Sequence, residues 1–171
     1  MIRIFAFLPA LALGLYLPDV DQSLRSILNH RSILTHSALI PALLLTPASR
    51  GTWRGDAIAG LAAGFALHMG ADALSVMRGY ALIYFPWPLD FSIGGASRWW
   101  LIGNSLVCLA FAWSWRSLSA PLLICAIVLC GLAYAVFNEG SLVLSLLILA
   151  GGFGAYRLIA PKIAARRTIS R

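Results

Sequence analysis

Apolar residues in this chain fall into long blocks broken by short polar stretches. Three blocks, Trp99–Trp115, Ser117–Asn138 and Gly140–Tyr156, contain no charged residue. Earlier blocks cover 4–17, 32–45 and 56–75. A helix needs roughly 20 apolar residues to cross a bilayer. The pattern therefore predicts an all-α, polytopic integral membrane helix bundle of about six transmembrane or membrane-embedded helices. Pro18 is expected to stop the first helix and Pro41 to kink the second.

The third block has an informative spacing. Gly60, Gly64, His68 and Asp72 recur every fourth residue, so they share one face of a helix over 56–75. The glycine pair lets a neighbouring helix approach closely, and the same stripe carries His68 and Asp72 into that contact. Met77–Arg98 is rich in aromatic and turn residues and reads as a loop at the lipid headgroup level, either an interfacial anchor or a lid. The whole of 1–171 reads as one membrane domain. Residues 1–80 carry the chemistry, three helices within 99–160 support it, and the basic tail KIAARRTISR is expected to fray.

Composition strengthens the membrane reading. The chain is 60% hydrophobic and 11% charged, against about a quarter charged in soluble domains. The net charge of +7 would suit nucleic acid. The basic residues, however, punctuate apolar segments or gather in the tail and form no groove-binding patch, so no nucleic-acid partner is expected. Counted by side of a six-span bundle, nine Lys/Arg fall with the termini and four on the opposite face. The positive-inside rule then places both termini in the cytoplasm. Ala10-Leu11-Ala12 fits a signal-peptidase site, but the apolar run continues beyond it, and an uncleaved first helix is expected. Cys108, Cys125 and Cys130 lie inside apolar runs with no paired spacing and read as buried small hydrophobes.

Polar chemistry is concentrated. All three histidines and three of the six acidic residues fall in two clusters, Asp19/Asp21/His30/His36 and His68/Asp72. An up-down-up path of the first three helices would bring all six to one membrane face. Neutral imidazole and carboxylate are ligands for divalent metal, Zn²⁺ foremost, with Mn²⁺ or Fe²⁺ as alternatives. His30, His36, His68, Asp72 and Asp19 are the candidate ligands. Asp19 and Asp21 are candidate general bases, and Arg31 is a candidate clamp for an anionic substrate. Thr35 and Ser37 flank His36 as helix-start hydrogen-bonding residues or as supports for the ligands. Asp56, Asp90 and Glu139 read as interfacial or capping charges. Two rival readings use the same residues, a proton or ion relay and a non-catalytic protein with a structural metal.

The segments LPDVDQ, HRSILTHS and GFALHMGADAL together resemble the membrane-bound metal-dependent hydrolase family that includes the YdjM-type inner-membrane proteins. Gly14, Leu17, Pro18, Asp19 and Asp21 match its first motif. His30, Arg31, Thr35, His36 and Ser37 match the second, and His68 and Asp72 the third. The resemblance covers roughly 14 to 80. It implies a bacterial inner-membrane location, a bound divalent metal and hydrolysis of an ester or phosphoester, with a lipid-linked substrate among the options.

Overall fold

The computed structural model describes residues 2–46 and 49–169, with side chains for 3–46 and 49–161. Among these the regular secondary structure is helical, with no strand and two isolated bridges, both made by Tyr84. The helices are α1 (Ile2–Tyr16), α2 (Val20–Ser23), α3 (Arg25–Leu28), α4 (Leu39–Leu44), α5 (Trp53–Leu74), α6 (Ser97–Trp115), α7 (Ala120–Phe137) and α8 (Leu142–Ile169). The chain forms two compact units, Met1–Ser117 and Leu118–Arg171. Helix α6 thus belongs to the unit that carries the histidines.

Four helical runs are long and apolar enough to cross a membrane: Arg3–Ser23, Trp53–Leu74, Ala120–Phe137 and Leu142–Pro161. Two of the six expected spans are not among them. Helix α6 carries Arg98, Asn104 and three serines, which lower its hydropathy. The expected helix over 32–45 shrinks to α4, because the polar groups before it are engaged elsewhere. Ser32 N–H is donated to a carboxylate and the backbone of Arg31 and Ile33 pairs with Tyr84.

Pro18 does not end the first helical run. It occupies the first turn of a 3₁₀ segment, Leu17–Asp19, where no backbone N–H is required of it, and α2 continues the direction. Asp19 and Asp21 therefore sit on a helical turn, not on an extended strand. The tail does not fray where expected, since α8 continues through Pro161 to Ile169.

Helices α1 and α5 run parallel in intimate contact, the return between them being made by the 24–52 segment. Added Cβ atoms at Gly60 and Gly64 would strike Phe7 O and Leu11 O, and one at Gly14 would strike Leu61 O. Glycine at these three places lets the two backbones touch. Helix α6 packs on another side of α5, with Ser105 Oγ donating to Ala66 O at 2.8 Å. The loop 77–96 lies on the loop 27–33. Tyr84 N–H donates to Arg31 O at 3.0 Å, Ile33 N–H to Tyr84 O at 2.8 Å and Trp87 N–H to Ile27 O at 2.8 Å.

The second unit is a hairpin of α7 and α8. Its turn closes with Asn138 and Glu139 N–H both donating to Tyr134 O and with Gly140 at φ +59°. Gly152 packs on Val128 where the two helices meet. Their outer faces present Leu122, Leu129, Phe137, Leu146 and Phe153.

Candidate metal centre

Close contact of α1 with α5 fixes the first ligand. His68 is buried beside the last turn of α1, and its Nδ1 lies 2.8 Å from Leu15 O. A carbonyl oxygen can only accept, so Nδ1 carries the proton and Nε2 presents a lone pair. His36 is oriented by the same logic. Its Nδ1 is 3.1 Å from Asp21 Oδ2, a carboxylate oxygen that also receives Ser32 N–H at 2.8 Å and Thr35 Oγ1–H at 2.6 Å. With Nδ1 donating to Asp21, Nε2 of His36 is the ring nitrogen turned toward His68 and Asp72.

The two Nε2 atoms point at each other. They are 3.4 Å apart, and Asp72 Oδ2 lies 3.3 Å from His36 Nε2 and 3.4 Å from His68 Nε2. Asp72 Oδ2 is buried with no hydrogen-bond partner. Its other oxygen accepts from Arg31 Nη2 at 2.7 Å. Two imidazole nitrogens and one carboxylate oxygen thus form a nearly equilateral triangle. Such an arrangement is stabilised by positive charge among the three, supplied by a bound cation or by a proton on an imidazole.

Asp19 closes one side. Its Oδ1 is 3.9 Å from His68 Nε2, and ligand atoms of Asp19, His36 and His68 all lie within 4.8 Å of one another. At 34% side-chain exposure it is the most accessible member, against 0% for His36 and 12% for Asp72. Gln22 Nε2 donates to Asp19 Oδ1 at 2.9 Å. The group can hold a metal ion.

No protein-family model, curated protein or solved structure matches the chain.

The remaining candidates lie around this group in distinct places. His30 is not among the converging groups, and its Nδ1 lies 3.7 Å from Asp21 Oδ1. Asp21 is fully buried and holds His36 and the 32–35 turn. Arg31 donates to Ser75 Oγ at 3.1 Å, to Ala81 O at 2.8 Å and to Asp72. Its guanidinium is therefore spent on protein acceptors, and its backbone, with φ 52°, makes the turn that aims it there. Thr35 supports Asp21, while Ser37 accepts from Leu39 N–H at 3.2 Å ahead of α4.

Several supports carry no sequence signal. Trp100 Nε1 donates to His36 O at 2.8 Å, and Asn104 Oδ1 accepts from Ala38 N–H at 2.8 Å, so α6 grips the segment that presents His36. The carbonyl of Leu15 is invisible in any residue pattern. In the metal-free site, burial opposes the His36 cation, but hydrogen bonds to Asp21 and Asp72 outweigh it and raise the imidazole to about 9. The rise comes from both carboxylates, Asp21 on one ring nitrogen and Asp72 on the other.

Proposed function

We propose that this chain is a membrane-embedded, metal-dependent hydrolase of ester or phosphoester bonds, related to the membrane-bound metal-dependent hydrolases whose motifs it resembles. The observation that carries the reading is the triangle of His36 Nε2, His68 Nε2 and Asp72 Oδ2, with sides of 3.3, 3.4 and 3.4 Å. Tetrahedral ligands at about 2.0–2.1 Å from zinc stand about 3.3–3.4 Å from one another. Octahedral neighbours at that bond length would stand only about 2.9–3.0 Å apart. The spacing suits tetrahedral Zn²⁺, while the two-histidine, one-carboxylate donor set serves Zn²⁺ and Fe²⁺ alike. Both histidines have their far nitrogens fixed, one by a carboxylate and one by a backbone carbonyl, as ligating histidines usually do.

A divalent metal in this position supplies a Lewis acid and lowers the pKa of a bound water to about 7. The chain's own residues divide the remaining work. His36, His68 and Asp72 would hold the ion, Asp21 and Leu15 O orient the imidazoles, and Arg31 orients Asp72 through its outer oxygen. Asp19, on the accessible side, either completes the donor set or accepts the proton released by the attacking water. Membrane insertion is supported by the four apolar helical runs and by the outward leucines and phenylalanines of α7 and α8. The cytoplasmic placement of both termini rests on the nine-to-four division of Lys/Arg.

One observation favours a rival. A protonated His36, raised to about 9, could donate Nε2–H to Asp72 and fill the triangle with a proton, as a relay would. The test is elemental analysis of protein purified without chelator, followed by turnover of a panel of lipid esters and phosphodiesters in nanodiscs. One metal per chain, lost with its hydrolysis in His68→Ala, is the expected result. Metal-free wild type supports the relay. Bound metal without turnover on any ester supports a structural ion.

A further inference from the structure

The side of α5 turned away from His68 and Asp72 carries a second feature. Two cavities meet there, of about 310 Å³ and about 510 Å³, and share Leu74 and Arg98 in their walls. The first is a cleft between α5 and α6, walled by Gly70 and Ala73 on one helix and Ile102 and Leu106 on the other. From Arg98 to Leu106 it descends eight residues of helix, about 12 Å at 1.5 Å per residue. The second is its mouth, lined by Arg78, Arg98, Trp99 and the backbone of 75–77. Among the described residues no acidic side chain lines either cavity. Neither arginine forms an ion pair among those residues. Arg98 makes one hydrogen bond, from Nη2 to Ser75 O at 3.1 Å.

An apolar cleft of this depth opening into a mouth with two unneutralised guanidinium groups matches one kind of molecule. It takes an anion attached to a hydrocarbon chain. We infer that this groove binds a single anionic glycerophospholipid, with its phosphate at Arg78 and Arg98 and an acyl chain between α5 and α6. Gly70 makes the cleft possible. A Cβ there would meet only Ser105 Oγ at 3.6 Å, whereas a longer side chain would fill the space along Ala73 and Ile102. Trp99 at the rim suits the headgroup level. The inference rests on the membrane-embedded part of the reading above and not on hydrolysis.

The groove also touches the metal centre through one residue. Ser75 offers its carbonyl to Arg98 and its hydroxyl to Arg31, and Arg31 holds Asp72. A phosphate that draws Arg98 outward acts on the end of α5 that carries Asp72, so the groove is placed to influence the centre without contributing a ligand.

Native mass spectrometry of the full chain, released from micelles containing equal phosphatidylglycerol and phosphatidylcholine, tests the proposal. Wild type should retain phosphatidylglycerol over phosphatidylcholine by about 30-fold, given about 1 kcal/mol for each of two arginines near an anionic headgroup. Arg78→Gln with Arg98→Gln should bring the ratio close to unity while still retaining lipid. Gly70→Leu should lower retention of both lipids at unchanged metal content, which separates a blocked groove from a misfolded protein. Glycerol phosphate without acyl chains should not compete, and effective competition by it would replace the lipid with a free phosphate. Equal retention of the two lipids by wild type, or a preference that survives loss of both arginines, overturns the proposal.

Discussion

Helix α5 buries two carboxylates, Asp56 near its start and Asp72 near its end, and they behave as opposites. Both are deep in the protein and both have one oxygen, Oδ2, with no hydrogen-bond partner. Asp56 Oδ1 accepts Ser117 N–H at 2.6 Å, fastening the end of α6 to the beginning of α5. The lone oxygen of Asp56 has no imidazole near it. That of Asp72 faces two imidazole nitrogens at 3.3 and 3.4 Å. Burial and an orphaned oxygen are therefore no evidence of a site by themselves. What marks Asp72 is the convergence of its oxygen with two imidazole nitrogens.

This contrast can be broken from either end of the helix. The largest effect should come from His68→Ala and Asp72→Ala. Each removes one corner of the triangle, and elemental analysis should find metal stoichiometry and ester turnover lost together. Full occupancy in either variant would refute the ligand assignment.

A smaller effect should follow from substitutions that leave the corners in place. Asp21→Asn loosens His36 and Arg31→Ala loosens Asp72. Each should weaken metal binding by about 10–100-fold without abolishing it, the usual range for partners of ligands. Competition with a chromophoric chelator measures this. For Arg31 the result also separates two roles, since a substrate clamp would lower turnover at unchanged metal affinity.

The third effect is continuous in pH. His36 is raised in the metal-free fold from 6.5 to about 9. Its charged form stabilises that fold fully below about 6.5 and loses this contribution as pH rises through about 9. Metal must displace the same proton. Apparent affinity should therefore climb by up to about tenfold per pH unit towards 9 and level off above it. Affinity that is flat from pH 6 to 9 would mean that His36 is not the group displaced.

Smallest of all should be the response at the other end of α5. Asp56→Ala leaves Ser117 N–H without its acceptor and should cost about 1–3 kcal/mol in a denaturation midpoint, with metal content unchanged. Metal loss in Asp56→Ala would erase the distinction between the two carboxylates.

Much of the centre was legible because it uses a helix period. His68 and Asp72 stand at i and i+4, and Gly60 and Gly64 extend the same stripe to the contact that seats them. His36 and Asp19 follow from residue scarcity, since so few groups in the chain can bind an ion. His30 and Arg31 were harder. Asn29 and Arg31 both take left-handed φ, 62° and 52°, and no periodic pattern describes a reversed turn. Those two backbone angles set His30 beside Asp21 and aim Arg31 at Asp72. The helix expected over 32–45 failed for a related reason. Asp21 and Tyr84, remote in sequence, claim donors and acceptors that a helix would have used. The division of the chain at Ser117 has no counterpart in the apolar pattern, because both units are written in the same hydrophobic alphabet.

The glycine contact between α1 and α5 has one more implication. His68 hangs from α5 but takes its orientation from a carbonyl of α1, and Asp19 follows α1 directly. Metal–ligand bonds tolerate only about 0.2 Å of error. The distance between two helix backbones is therefore also a setting of ion affinity. A single methyl group, added by Gly64→Ala one turn before His68 and against the α1 backbone, would report that separation as a released metal. An ion held by His36, His68 and Asp72 would gauge how closely two helices lie.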